Sequence, residues 1–380
     1  LVAHHCRHIV STEEFLKMLK KILVAVAILA VYLLLWPVPI EPVSWTAPLD
    51  KGFTGDFEQN KKLAAIEIIT LPDTHGPEGL ALLGNEVYAA TREGWIVRYN
   101  QQTGGQIKWV NTQGSPLGIV FDAENNLLVA DAYKGLLKVS PTGEISLLTR
   151  TVDGTDIDYA DDLDVTADGK IYFSDASTKF GAHMGGTYAA SLLDTMEHGG
   201  HGRLLVYDPV DQSTKILMEG LNFANGVATD AGSQFILVNE TGSYRIHKYW
   251  LQGDKAGQSE VLIDNLPGFP DNIVRGRDGR FWVGLVSPRS KPLDDLSRSP
   301  FIRKVFQRFP PFMRPQAVPY SHVFAMTGEG EVLTSLQDPN GEHHTNTGAL
   351  ETDDWLYISS LHADNLARIS WQDVGLEGVE

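Results

Sequence analysis

The chain contains a single cysteine, Cys6, in 380 residues. One sulfur closes no disulfide within a chain and builds no cysteine-based zinc site, so neither device holds this fold together. Basic residues are also scarce: 31 Lys and Arg face 48 Asp and Glu, for a formal net charge of −17. Contact with a phosphate backbone needs a basic surface, so no nucleic-acid partner is expected. No Gly-x-Ser-x-Gly elbow, P-loop or dinucleotide-binding glycine fingerprint occurs, which removes the usual sequence signs of a serine nucleophile, of nucleotide hydrolysis and of hydride transfer. The remaining composition, 43% hydrophobic and 21% charged, is that of a globular chain. Its length suits one large β domain or two ordinary ones.

Only one long apolar run is present. It extends from Ile22 to Trp36 behind Lys17, Lys20 and Lys21, and Pro37, Pro39 and Pro42 follow it. The run is at the short end for a membrane-spanning helix, with Val38 and Ile40 extending it slightly. The expected division is a cytoplasmic segment over 1–21, an anchor over 22–40 and a Pro-rich spacer over 41–56 that holds the body off the membrane. Lysines before the run and none directly after it predict a single-pass protein with a cytoplasmic N-terminus and the body on the outer, periplasmic or luminal, side. A cleaved signal peptide and a buried core helix are the competing readings. Against cleavage, no small-x-small site stands between Trp36 and Leu49. His4, His5 and His8 beside Cys6 look like a metal cluster, but they precede Met18, which itself opens a basic and then apolar start.

Beyond about Ile66 the pattern alternates apolar and polar residues between Gly, Asn and Asp turns, as in short antiparallel strands. One strand phrase returns six times: Val87-Tyr-Ala-Ala90, Leu127-Leu-Val-Ala-Asp131, Ile171-Tyr-Phe-Ser-Asp175, Phe235-Ile-Leu-Val-Asn239, Phe281-Trp-Val-Gly284 and Leu356-Tyr-Ile-Ser359. Its anchors Tyr88, Leu128, Tyr172, Ile236, Trp282 and Tyr357 lie 40, 44, 64, 46 and 75 residues apart. Three of these spacings fit one four-stranded propeller blade. The two long ones contain insertions: Phe180–Arg203, rich in Gly and His, and Pro288–Tyr320, basic and aromatic. Without them six equal blades remain, so the fold class expected is all-β, a six-bladed propeller over 57–372 with an N-terminal transmembrane helix. A pair of β-sandwiches is the alternative. In the second insertion Phe301, Val305, Phe309 and Phe312 recur near helical spacing with Arg303, Lys304 and Arg308 between them. That pattern suits an amphipathic helix on a membrane surface or over the channel mouth, and equally a helix packed on the propeller flank.

Four of the six phrases follow, by about ten residues, a carboxylate or amide: Glu78, Asp161 with Asp162, Asn225, and Asp271 with Asn272. Alone, each would read as a turn-capping residue. The shared register turns them into oxygen ligands aimed at one axis, and six to eight oxygens is what calcium takes. The candidate metal ligands are therefore Glu78, Asp161, Asn225, Asp271 and Asn272, and the candidate cofactor is Ca2+. His183, His198, His201, His343 and His344 sit where a general base at the channel mouth could come from. Asp131 and the Ser174-Asp175 pair belong to the strand phrase and read as structural, pairing with loop backbone.

The stretches Gly76-Pro-Glu-Gly79, Ala130-Asp-Ala-Tyr-Lys-Gly-Leu136, Phe223-Ala-Asn-Gly226 and Pro267-Gly-Phe-Pro-Asp-Asn-Ile273 resemble, in order, the strictosidine synthase-like branch of calcium-dependent six-bladed propellers. Gluconolactonases, paraoxonases and squid-type phosphotriesterases are relatives of that branch. The resemblance covers roughly Phe57 to Ile369. It implies that Glu78, Asn225, Asp271 and Asn272 match the family's calcium ligands, with Asp161 where relatives usually carry Asn. It also implies a hydrolase of lactones or carboxylic (aryl) esters, in which the metal polarises the carbonyl and Asp271 serves as ligand and proton acceptor. A paraoxonase-type histidine is missing, since the matching stretch is Ser115-Pro-Leu-Gly-Ile119. The glutamate of true strictosidine synthase is missing too, with Ala349 near its position and Glu351 close by. A non-catalytic calcium-stabilised propeller that binds a partner or lipid, and a condensing enzyme, are the other functions the family allows.

Overall fold

Each recurrent phrase forms the second strand of a four-stranded antiparallel sheet, and six such sheets make up the body of this computed structural model, which describes residues 12–71 and 73–376. The sheets are six blades of a propeller, so the repeat in the sequence is the repeat of the fold. The phrases are apolar on both faces because blades stack face to face: Leu127–Asp131 and Ile171–Asp175 are buried throughout. Burial falls towards the rim, where fourth strands such as Ile145–Thr149 and Ser259–Ile263 are largely exposed. Between blades 4 and 5 the core holds Leu237, Ile246, Phe281, Val283 and Phe324.

Blades 1 to 5 are built from consecutive strands, but blade 6 is not. Its three inner strands come from the C-terminal end (Asn346–Glu351, Trp355–Ser360, Asn365–Ser370), and its outer strand is Glu67–Thr70 from before blade 1. Glu67 pairs with Arg368 and Thr70 with Asn365, and an Arg368 Nη2 to Glu67 ion pair of 2.8 Å joins the two ends. This closure ties both ends of the ring into one sheet.

The acid that closes several phrases has the structural task expected of it. Asp131 accepts from the backbone N–H of Ser115 (3.1 Å), and Asp175 accepts from that of Tyr159 (3.1 Å). Glu240, next to Asn239, accepts from the N–H of Asn222 (3.0 Å). Each carboxylate thus pins the segment leading into its own blade's inner strand.

The apolar helix has other limits than the segment expected as an anchor. The helix runs Thr12–Leu35, beginning before Ile22 and ending before 40. Pro37 and Pro39 cannot donate to a helical ladder and push the preceding residues out of helical geometry, so the chain leaves the helix there. Ile40 is fully buried beside Phe180 in the propeller's top cluster. At 1.5 Å per residue, 24 residues span about 36 Å, enough for a hydrocarbon core of about 30 Å. The helix is therefore long and apolar enough to cross a membrane. The histidines and cysteine at 4–8 lie outside the described residues.

The Pro-rich segment expected as a spacer is itself docked on the propeller. Val43 N donates to Glu197 O (2.9 Å), Trp45 N donates to Ser297 O (3.1 Å), and the Trp45 ring stacks on His198 at 3.9 Å. Both insertions receive it. The first folds into a helix, Thr187–Glu197, and the second into short helices at Lys291–Asp295 and Pro300–Gln307. Two arginines of the second insertion cap the ends of other helices. Buried Arg303 donates to Met196 O (3.0 Å) and Glu197 O (3.3 Å) at the end of Thr187–Glu197, and also to the carbonyls of Ser297 and Val43. Arg308 donates to Leu33 O (3.0 Å) and Trp36 O (2.5 Å) at the end of the N-terminal helix. A cation is favoured at that pole of a helix, where carbonyls lack partners.

Candidate functional site

The five proposed ligands reach the axis through a backbone device that recurs around the ring. The pairing of first and second strands slips by one residue, two residues standing opposite one, at Leu117-Gly118, Asp161-Asp162, Asn225-Gly226, Asp271-Asn272 and Thr347-Gly348. Glu78-Gly79 stands at the corresponding start of blade 1. Such bulges re-aim side chains at sheet ends and beside sites. Four of the five candidate ligands are the first residue of their pair and Asn272 is a second, and Gly holds the second position in four of the six blades. At Gly79 and Gly226 a Cβ would meet neighbouring backbone, 1.9 Å from Leu117 O and 2.4 Å from Ile273 N. Only glycine lets adjacent inner strands approach this closely.

Glu78, Asp161, Asn225, Asp271 and Asn272 are all buried. Three of their oxygens, Asp161 Oδ1, Asn225 Oδ1 and Asn272 Oδ1, have no hydrogen-bond partner. Buried polar atoms are nearly always paired, so three orphans on three candidate ligands leave oxygens free to meet a cation. Surrounding groups fix the set from behind. Asn239 Nδ2 donates to Asp271 O (2.5 Å), Thr347 Oγ1 to Glu78 O (2.8 Å) and Asn272 Nδ2 to Glu78 O (3.3 Å).

The electrostatics point the same way. Burial, reinforced by repulsion from Asp271 and Asp162, holds the Glu78 carboxyl well above the usual range. Burial and then Glu78, Asp271 and Asp162 do the same to Asp161. Asp271 is pushed up to about 8, mainly by burial and then by Asp162. Carboxylates crowded out of water destabilise one another unless a cation neutralises them. Among the described residues no three His, Cys, Asp or Glu side chains form a metal site by themselves. This set mixes carboxylates with two amides, and its donors are oxygen only, the chemistry that suits a hard divalent cation.

Above Asp271 opens a pocket of about 80 Å³, walled by Phe223 and Phe269, by Tyr188 and Leu192 of the first insertion and by Leu293 and Ala317 of the second. Asp271 is the one axial ligand among its walls. Glu78, Asp162 and Asn272 instead face a channel of about 220 Å³ along the inner strands.

None of the five candidate histidines lines the pocket above Asp271. His198 stacks on Trp45, His201 Nε2 bonds Glu197 (2.6 Å), His343 bonds Asn365 and Ile358 O, His344 bonds Thr345, and His183 is exposed. The histidine beside the site is His362, which shares a narrow space with Glu78 and Arg92 and meets the Tyr188 ring at 4.8 Å. Sequence reading passed over it, although it follows the sixth phrase by three residues. Glu351 is locked in structure, accepting from Trp282 Nε1 (2.6 Å), Arg280 Nε (3.0 Å) and the N–H of Arg277 (3.0 Å). Leu117 is buried in the cluster around Tyr159.

The strictosidine synthase family model matches residues 161–254, and the strictosidine synthase-like N-terminal model matches 55–99. Adipocyte plasma membrane-associated protein of Bos taurus is 35% identical over 366 residues, covering 90% of this chain and 86% of that protein. The chain belongs to the strictosidine synthase-like family. Among solved structures, a gluconolactonase of Xanthomonas campestris superposes with a TM-score of 0.59 at 16% identity, covering 87% of this chain and 98% of that one. Regucalcin of Agrobacterium tumefaciens, described as a calcium-binding protein, gives 0.55 at 12%, covering 79% and 92%. At those identities the two structures speak for the shared propeller alone.

Proposed function

We propose that this protein is a membrane-anchored, calcium-dependent hydrolase of lactones or carboxylic (aryl) esters. The observation that carries the reading is the placement of Asp271, which belongs to the oxygen set at the axis and also opens into the apolar pocket. Glu78, Asp161, Asn225, Asp271 and Asn272 would hold Ca2+, as the orphaned oxygens and the name of the regucalcin neighbour support. Bound there, the ion would supply a Lewis acid for a carbonyl oxygen.

The chain's own residues do the rest. Phe223, Phe269 and Leu293 exclude water from the acyl group. An Asp271 carboxylate oxygen takes the proton of an attacking water, whose oxygen adds to the carbonyl carbon; the C–O bond to the leaving alkoxide then breaks and the proton returns to it. Asn225 lies beside Asp271 and favours the charged form of that carboxyl.

The helix Thr12–Leu35 serves as the anchor. Lys17, Lys20 and Lys21 at its N-terminal half favour a cytoplasmic N-terminus with the propeller on the outer side. The name of the Bos taurus relative supports membrane association. The test of the function is Asp271→Asn in the full chain. Ester or lactone turnover should fall at least 100-fold while calcium still raises the melting temperature. Retained turnover would remove Asp271 from the chemistry.

A further inference from the structure

A cavity of about 630 Å³ lies beside the small pocket over Asp271 and shares four wall residues with it: Tyr188, Leu192, Pro315 and Gln316. The pocket itself, at about 80 Å³, has room for little more than the reacting group. The larger space is lined mainly by apolar residues, among them Met184, Ala189, Leu193 and Met196 of the first insertion. Its outer wall is the end of the N-terminal helix, Tyr32 and Trp36. Arg308, also in its wall, fixes that end through Leu33 O and Trp36 O, and Tyr32 Oη donates back to Arg308 O at 3.1 Å. Tyr and Trp at the end of a membrane-crossing helix sit at the headgroup level. The cavity's outer side therefore faces the membrane interface. Next to it, between wall residues Pro311 and Arg314, Phe312 is 80% exposed and Met313 52%. Exposed apolar side chains at such a place enter lipid readily.

We propose that the substrate reaches Asp271 from the bilayer: the long apolar chain of a membrane-dissolved ester lies in the larger cavity, past Tyr32 and Trp36, with its carboxylic ester end at the neck formed by Tyr188, Leu192, Pro315 and Gln316. This rests on the hydrolase and anchor readings above and deepens them by naming the substrate class. Three features of the structure argue for a chain from lipid over a soluble ligand. The two spaces share walls, the wide space is apolar, and its rim is built from the anchor itself. A water-soluble substrate would need none of the three.

The test uses the full chain in phosphatidylcholine nanodiscs with calcium. A sixteen-carbon ester bearing a diazirine at mid-chain is photo-crosslinked and the labelled peptides are mapped. In parallel, turnover of a p-nitrophenyl palmitate and of p-nitrophenyl acetate is compared in wild type and in Ala189→Trp, which fills the larger cavity without touching the pocket over Asp271. Labelling of the Thr187–Glu197 helix at Leu193 or Met196, together with an at least tenfold fall in the palmitate-to-acetate turnover ratio in Ala189→Trp, supports the route. Labelling confined to the Thr12–Leu35 helix and Phe312, or an unchanged ratio, overturns it. Labelling at Leu193 or Met196 in a protein that hydrolyses neither ester keeps the route and removes the hydrolase reading. Wild-type labelling needs no variant to fold, so the outcome is decided even if Ala189→Trp does not.

Discussion

Replacing Gly226 by alanine tests whether the close approach of the inner strands sets the axial oxygens. The new Cβ would lie 2.4 Å from Ile273 N, 2.5 Å from Asp271 O and 2.7 Å from Asn272 C, all of them backbone atoms. Ordinary contact is about 3.5 Å, so blade 5's inner strand must retreat by about 1 Å at the two residues that supply ligands. Overpacking a close-packed core costs about 1–3 kcal/mol, and an immovable backbone neighbour places this change near 3. At about 2 °C per kcal/mol for a domain of this size, the melting temperature should fall by about 6 °C. Displaced ligands should also weaken calcium binding about tenfold or more, read by titration calorimetry. The control is Gly105→Ala in an exposed turn, where the nearest atom is Thr103 Oγ1 at 3.3 Å; it should stay within about 0.5 kcal/mol of wild type. If Gly226→Ala melts within a degree of wild type and binds calcium equally well, the close approach does not position the site.

Three further outcomes follow from the same structure. Arg303→Met leaves the carbonyls of Met196, Glu197, Ser297 and Val43 without their donor; it should destabilise the protein by about 3 kcal/mol and expose residues 41–54 to limited proteolysis, and an unchanged digestion pattern would contradict the docking. Burial pushes Glu197 up, but His201, Lys179 and the N–H of Glu41 outweigh it and hold the carboxyl at about 2. A depressed acid stabilises above its unfolded value near 4.5, and that stability is lost as pH falls towards 2. Thermal melts of wild type should therefore drop across that window, and those of Glu197→Gln much less. The axial carboxylates have the opposite sign. Asp271, raised to about 8, makes the calcium-free fold bind protons more tightly than the unfolded chain, so stability in chelator should fall as pH rises from 5 to 8. Calcium should remove that slope, and parallel curves with and without the ion would refute the assignment.

Much of the fold was legible because a propeller repeats one supersecondary unit, and its most buried strand carries the least variable pattern. The six phrases marked six second strands, and the spacings of 64 and 75 residues exposed the two insertions. The candidate ligands were legible because a bulge at one register brings each to the same place. What stayed hidden depended on partners distant in sequence. Nothing in Glu67-Ile-Ile-Thr70 says that it completes a blade begun at Asn346. Arg303 and Arg308 read as the charged face of an amphipathic helix, whereas their partners are the ends of two other helices. Pro37 to Leu49 had a linker's composition, but its backbone groups are claimed by Glu197, Ser297, Arg289 and Arg303. His362 follows a phrase whose strand was recognised, yet only the blade arrangement brings it beside Glu78.

The central claim is that the axial oxygens hold calcium for hydrolysis. Its most direct test is turnover of a panel of aryl esters and lactones by the full chain, with calcium, then with excess chelator, then with calcium restored. Turnover that chelation abolishes and calcium returns is the result expected. Turnover indifferent to chelator, or none on any substrate alongside a large calcium-dependent rise in melting temperature, would contradict it.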